Sequence, residues 1–204
     1  MSDRSLAPEY FDDMYAANAD PWDFSGRWYE RRKRDITVAS LPRERFARVF
    51  EPGCSIGLLS LDLAQRSDAL LAADVSLVAI EATRARLAGQ PGVRVERRAV
   101  PEDWPDGPFD LIVLSEVAYY SSHRAAGELG RLASETLADD GYVVLCHWLH
   151  PVADYPLSGS VAQRVVREAS RLDVVVAHQE ADFLLEVLAR PGTPSVAEVE
   201  GLIG

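Results

Sequence analysis

The stretch VFEPGCSIGLLSLDLA (Val49–Ala64) decides the fold. A β-branched and aromatic run ends in Glu51, two glycines flank a tight bend, and a helical apolar pattern begins at Leu58. This is the strand–turn–helix order that opens a nucleotide-binding α/β sheet. Gly53 frees the backbone for unusual φ/ψ, and Gly57 lets helix and strand pack closely. A dinucleotide fingerprint has a third glycine, which would fall near Ser55 and is missing. Glu51 is the informative residue. A pyrophosphate on a helix N-terminus calls for N–H groups and positive potential, whereas a carboxylate in the turn suits a cation, such as an ammonium or sulfonium. Pro52 removes another backbone donor. No Gly-Lys-Ser/Thr follows, which excludes a Walker loop. The competing reading is a plain tight turn with Glu51 as a solvated strand end.

Working outward, strands are expected at Ala47–Phe50, Ala69–Asp74, Val93–Arg97, Leu111–Ser115 and Tyr142–His147. Helices are expected between them at Leu58–Arg66, Leu77–Ala88 and His123–Leu137. A further helix, Val161–Ser170, precedes two last strands at Asp173–His178 and Phe183–Ala189. Strands alternating with helices predict a doubly wound, mostly parallel, seven-stranded sheet of Rossmann-like type. The last two strands are separated by only a few residues, too few for a crossover, so they must pair antiparallel. Ahead of the first strand, helices are expected at Pro8–Ala19 and Arg27–Ala39 around a Pro21–Gly26 loop. The expected organisation is one domain over 1–204: a helical cap (1–45), a core (46–190) and a peripheral tail (191–204).

The 204 residues suffice for a full core. A net charge of −11 lacks the electrostatic footprint of a nucleic-acid binder. Acidic residues from Asp3 to Asp23 dominate the start, followed by a positive cluster from Arg27 to Arg34. Neither a membrane span nor a signal sequence is visible. Cys54 and Cys146 form neither a disulfide framework nor a CxxC pair. The expectation is a cytoplasmic protein, monomeric or homodimeric, with no nucleic-acid or membrane partner and no metal.

Further signals lie at the ends of the later strands. Asp74 follows Glu51 by 23 residues. An acid there can accept both ribose hydroxyls of an adenosine, with Val75 beside it; it is equally a good N-cap for the next helix. Glu102-Asp103-Trp104 pairs an acid with an aromatic, which suits an adenine; the alternative is a surface loop with a packed Trp. The buried run FDLIVLSEV ends in Ser115 and Glu116, at the expected crevice.

EPGCSIG, Asp74, the EDW loop, FDLIVLSEVAYY and ADDGYVVL together resemble the ordered motifs of class I S-adenosylmethionine-dependent methyltransferases. PWDFSGRWYERRKRDITVASLP, with the HW of 147–148 and DYPLSG, is similar to the nodulation protein S family. The resemblance covers roughly residues 10–190. It implies S-adenosyl-L-methionine as cofactor, with S-adenosyl-L-homocysteine as product. Glu51, Gly53 and Gly57 would border the methionine end, with Cys54 and Ser55 in the same turn. Asp74 would hold the ribose, Asp103 would meet the adenine amino group with Trp104 nearby, and Ser115 and Glu116 would line the crevice. Arg32, within the cluster Arg31–Arg34, and Tyr29 are the candidate partners of the methionine carboxylate. A solvated helix face is the alternative. The implied reaction is methylation of an amine or hydroxyl of a small polar metabolite, N-methylation favoured, with an amino sugar as one acceptor.

His147 and His150 end the fifth strand at the expected sheet edge. Neutral imidazoles can accept a proton near physiological pH, so both are candidate bases; both are also candidates for structural roles. Tyr119 and Tyr120 are expected to shape the substrate pocket, with Tyr15 and Trp22 in an aromatic lid. The rival to an enzyme is a scaffold protein that keeps the fold without turnover.

Overall fold

The computed structural model describes residues 4–203; Asp3, the first acid of the opening segment, lies outside the described residues. Two helices come first, α1 (Pro8–Ala17) and α2 (Trp28–Ala39). The core follows in the order β1 (Phe46–Pro52), α3 (Leu58–Gln65), β2 (Ser67–Asp74), α4 (Leu77–Arg86), β3 (Val93–Arg97), β4 (Phe109–Ser115), α5 (His123–Glu135), β5 (Leu137–Trp148), α6 (Gly159–Ser170), β6 (Asp173–Gln179) and β7 (Phe183–Ala189). A short 3₁₀ turn, Ala118–Tyr120, and a four-residue helix α7, Val196–Val199, add to the expected set.

The seven strands form one sheet in the order β3-β2-β1-β4-β5-β7-β6, as the sequence predicts in class. All pairings are parallel except those of β7, which runs antiparallel to both β5 and β6. The hairpin places β7 inside the sheet and leaves β6 at the edge. Composition explains the choice. FLLEVLA is apolar almost throughout and is buried on both faces, as a central strand requires. β6 leaves Val174 and Val175 exposed at 41% and 42%.

Alternation along β4 feeds two cores, one on each face. Ile112 and Leu114 point into one, Leu111 and Val113 into the other, following the period of two of a strand. Helices α5 and α6 cover the first face, each started by a serine whose hydroxyl accepts a backbone N–H: Ser122 from Ala125 at 3.2 Å and Ser158 from Val161 at 3.4 Å. One boundary differs from expectation for a visible reason. α5 stops at Glu135, and the Thr136 carbonyl accepts from Phe109 N–H at 2.8 Å. Leu137 then pairs with Phe109 as part of β5 and not of the helix.

The chain builds β1, β2 and β3 outward in one direction, then returns to place β4 on the other side of β1. The crevice at the C-terminal ends of β1 and β4 is therefore the switch point where ligands of such sheets bind.

Candidate active site

The turn after β1 carries three left-handed residues, Gly53, Ser55 and Gly57, with φ of 74°, 52° and 77°. A Cβ on Gly53 would lie 2.2 Å from Val117 Cγ2, and one on Gly57 would lie 2.9 Å from Thr83 Cγ2. Both positions exclude side chains. Ser55 stands where a third glycine was expected and adopts the left-handed conformation itself. A non-glycine residue there costs roughly 1–2 kcal/mol, which the surroundings offset. The Ser55 N–H donates to Asp74 Oδ2 at 2.9 Å, its carbonyl accepts from Thr83 Oγ1 at 2.6 Å, and its hydroxyl lies 2.6 Å from the Tyr15 hydroxyl. Asp74 is fixed by a second donor, Ser76 N–H, at 3.0 Å.

Two neighbouring cavities open on this turn. The larger, about 400 Å³, has Asp74, Val75 and Glu102 on the sheet side and Phe11, Tyr15 and Trp22 on the side of the N-terminal segment. The smaller, about 70 Å³, is lined by Glu30, Lys33, Arg34, Glu51, Cys54 and Ser115, among others. Phe24, Gly53, Ser55 and Glu116 wall both.

The small cavity holds two ionisable groups with unused hydrogen-bonding capacity. Glu51 is 3% exposed and its Oε2 has no hydrogen-bond partner among the described residues. Burial pushes its carboxyl up to about 8; the Ser60 hydroxyl offsets part of this, while Asp62 and Asp74 add to it. Arg34 Nε is likewise buried without a hydrogen-bond partner, its nearest carboxylate being Asp62 Oδ2 at 3.8 Å. Arg34 Nη1 donates to the Phe24 carbonyl at 3.2 Å, so it is the Nε that is left free. A carboxyl with an unpartnered oxygen and a guanidinium with an unpartnered N–H, in one chamber, match the two ends of an α-amino acid zwitterion. The large cavity adds a buried acid at the end of β2 and apolar walls, which suit an adenosine. These residues fit S-adenosylmethionine as a whole.

Glu116 sits between the cavities at φ 58°. Lys33 Nζ donates to its Oε1 at 2.9 Å, and the Tyr119 hydroxyl and the Trp148 N–H donate to its Oε2, the latter at 3.3 Å. Burial raises its carboxyl, but the Lys33 charge and the Tyr119 hydroxyl oppose burial, and the carboxyl is held below the usual value. Lys33 is the sole lysine of the chain; it also pairs with Glu30 at 3.0 Å.

Of the residues expected from sequence, Glu51, Gly53, Cys54, Ser55, Asp74, Val75, Ser115, Glu116, Tyr15, Trp22 and Tyr120 border one or both cavities, and Gly57 packs beneath the turn. Others lie elsewhere. Asp103 points outward, 60% exposed, toward Arg98 at 3.4 Å; the neighbouring Glu102 takes the cavity wall. Trp104 packs edge-on against Phe50 at 5.0 Å and donates to Thr136 Oγ1 at 3.0 Å. Arg32 grips Glu180 with two hydrogen bonds of 2.7 and 2.6 Å. Tyr29 packs on Trp148 and Phe183. Tyr119 stands behind Glu116.

Neither histidine reaches a cavity wall. His147 is fully buried, with Nδ1 2.6 Å from Gln163 Oε1 and Nε2 accepting from Ala118 N–H at 3.2 Å. Burial, foremost, lowers its pKa, so the ring is a neutral strut whose Nδ1–H donates to Gln163. His150 is half exposed and bonded to Asp182 at 2.7 Å.

Glu30, Phe11 and Phe24 are wall residues that the linear reading missed, and Lys33 and Arg34 are wall residues that it held within the cluster Arg31–Arg34 without singling them out. The signal was present in α2. Glu30, Lys33, Arg34 and Thr37 follow the i, i+3, i+4, i+7 spacing of one helix face, and Arg32 falls off that face.

Strand order, the reversed β7 and a turn without a phosphate loop together define the Rossmann-like methyltransferase fold. The model of the nodulation protein S (NodS) family matches residues 12–146. The chain belongs to that family, and with it to the S-adenosylmethionine-dependent methyltransferases. It is 28% identical over 190 residues to the nodulation protein S of Rhizobium tropici, covering 86% of this chain and 78% of the relative. A solved structure of a provisionally assigned methyltransferase from Pseudomonas syringae is 43% identical, with 80% of this chain and 100% of that chain covered at a TM-score of 0.72. The N-methyltransferase NodS of Bradyrhizobium japonicum WM9, solved in complex with S-adenosyl-L-homocysteine, is 22% identical. It shares the fold at a TM-score of 0.72, with 90% and 98% coverage.

Proposed function

We propose that this chain transfers a methyl group from S-adenosyl-L-methionine to a small polar metabolite, at an amine in preference to a hydroxyl, and that amino sugars are its acceptor class. The observation that carries the cofactor is the pair of atoms on residues lining the small cavity, Glu51 Oε2 and Arg34 Nε, both buried and both short of a partner. The Bradyrhizobium relative is an N-methyltransferase, which supports nitrogen as the target.

In this reading Glu51 takes the amino group and Arg34 the carboxylate of the methionine end. Asp74 retains acceptor capacity after binding the Ser55 and Ser76 N–H groups, since an ionised carboxylate offers about four lone-pair sites, and it receives the ribose hydroxyls. Val75 and Glu102 face the base. When bound, the cofactor supplies an electrophilic methyl on a sulfonium. Phe11, Tyr15, Trp22 and Phe24 exclude water from the crevice, and the fixed turn holds the reacting atoms in line, which alone can contribute several kcal/mol.

Calorimetric titration with S-adenosylmethionine and S-adenosylhomocysteine, followed by mass detection of methylated products from a panel of amino sugars, simple amines and alcohols, tests this. Binding of both and methylation of an amine support the proposal. Binding without any transfer favours a scaffold, and binding of neither removes both readings.

A further inference from the structure

We propose that Glu116 is the residue that selects a nitrogen acceptor, one that becomes cationic on methylation, by placing a carboxylate at the junction of the two cavities. The inference rests on the methyltransferase reading and adds to it the group that makes the reaction an N-methylation.

Position comes first. Of the carboxylates lining the two cavities, only Glu116 walls both. The adenosine and amino-acid ends of the donor meet at the sulfur, so a residue shared by both chambers faces the methyl that moves. The side chain is held there deliberately. Its backbone sits in the left-handed region at φ 58°, which a glutamate adopts only when its surroundings fix it. Lys33, Tyr119 and the Trp148 N–H fix three of its acceptor directions, leaving one lone pair for a ligand.

Charge comes second. A neutral amine attacks the methyl carbon with its nitrogen lone pair. The carbon–sulfur bond breaks with its electron pair remaining on sulfur, which becomes a neutral thioether, and the nitrogen becomes a methylammonium. Positive charge therefore leaves sulfur and arrives on nitrogen with no proton moved in the step itself. A fixed anion on the acceptor side of the methyl, nearer the nitrogen than the sulfur, favours this product at no cost in reorganisation. Lys33 does not cancel that anion, because Glu30 shares the same ammonium at 3.0 Å.

A hydroxyl acceptor poses a different problem, since its oxygen must give up a proton during attack. Among the described residues no histidine borders either cavity. Glu116 is engaged by an ammonium, Glu30 by the same ammonium, and Asp74 by two backbone N–H groups, while Glu51 and Glu102 are taken up by the amino group and the base of the cofactor in the proposed binding mode. The walls are thus equipped for a nitrogen that has already shed its proton to solvent, and poorly equipped to deprotonate an alcohol.

The test uses the full chain loaded with S-adenosylhomocysteine, titrated with N-methylcyclohexylammonium and, separately, with its neutral counterpart cyclohexyl methyl ether. The expected result is saturable binding of the ammonium at least about tenfold tighter than the ether, with the preference reduced to about threefold or less in Glu116→Gln, as for a desolvated charge that loses its partner. Equal binding of the two probes, binding of neither, or an undiminished preference in Glu116→Gln would overturn the proposal. Should Glu116→Gln fail to fold, the ratio of the two probes in the native chain still decides. Failure of S-adenosylhomocysteine to bind at all is a separate outcome, and it counts against the methyltransferase reading instead.

Discussion

The Tyr15 and Ser55 hydroxyls lie 2.6 Å apart, so the side chain that replaces a glycine in the turn is tied to the N-terminal helix α1. The tie spans 40 residues of sequence and joins the two walls of the large cavity. Tyr15 is buried at 4% exposure, and burial, foremost, raises its hydroxyl far above the ordinary range, so it remains a neutral donor or acceptor. Tyr15→Phe keeps the ring and removes the tie. It should weaken S-adenosylhomocysteine binding by about fivefold to tenfold, corresponding to the ~1 kcal/mol of one hydrogen bond. Calorimetry on the two proteins measures this, and an unchanged affinity would show that the helix does not hold the turn.

Arg32 and Arg34 separate cleanly. Arg34→Met should lower cofactor affinity by tenfold or more, on the order of 1.5–3 kcal/mol for a charged hydrogen bond. Arg32→Met removes the partly exposed pair with Glu180, an interaction typically worth about 0–1 kcal/mol, and should leave affinity unchanged. The reverse pattern in parallel titrations would move the carboxylate site to Arg32.

Glu51 predicts a linked proton. Its carboxyl is raised from 4.5 to about 8 by burial, so the folded chain binds a proton there that the unfolded chain has released. The sign follows: between these values stability falls as pH rises, being fully present below 4.5 and lost through about 8. A cationic amino group placed beside Glu51 favours the ionised form. Cofactor binding at pH 7 should therefore expel about one proton, and affinity should rise with pH across this window. Calorimetry in two buffers of different ionisation enthalpy counts the proton, and Glu51→Gln should abolish it. An equal proton count in both proteins would remove Glu51 from the ammonium site.

His147 is expected to matter for stability and not for chemistry. His147→Phe breaks a buried chain running through Gln163 to Glu186, in which Gln163 Nε2 donates to Glu186 Oε2 at 3.1 Å. Unpaired buried polar groups cost roughly 1–3 kcal/mol, so the melting temperature should drop by several degrees while cofactor affinity holds. His150→Ala should change neither. Loss of turnover in a folded His150→Ala protein would reinstate that histidine as a base.

The strand–turn–helix periods, the alternation of elements and the antiparallel last pair were all readable from residue order, because each is a local pattern. The position of β7 was not, since insertion between β5 and β6 depends on which strand best tolerates burial on both faces. That Glu51, Asp74 and Glu116 border the crevice was readable because strand ends fix them by register. Within the cluster Arg31–Arg34, Arg32 was singled out over Lys33 and Arg34 because a run of basic residues was read along the chain and not around the helix. His147 and Trp104 misled for a related reason: residue type and strand end suggested chemistry, whereas strand parity turned one into the core and loop geometry packed the other on Phe50. Glu102 in place of Asp103 is a one-residue difference within a loop, where no period constrains direction.

The most direct measurement is a crystal structure with S-adenosylhomocysteine bound. Density should show the amino group on Glu51 Oε2, the carboxylate on Arg34, the ribose hydroxyls on Asp74, and the sulfur beside Glu116. A ligand whose amino-acid end lies outside the cavity shared by Glu51 and Arg34, or a crevice that takes up no ligand, would contradict the reading of this site.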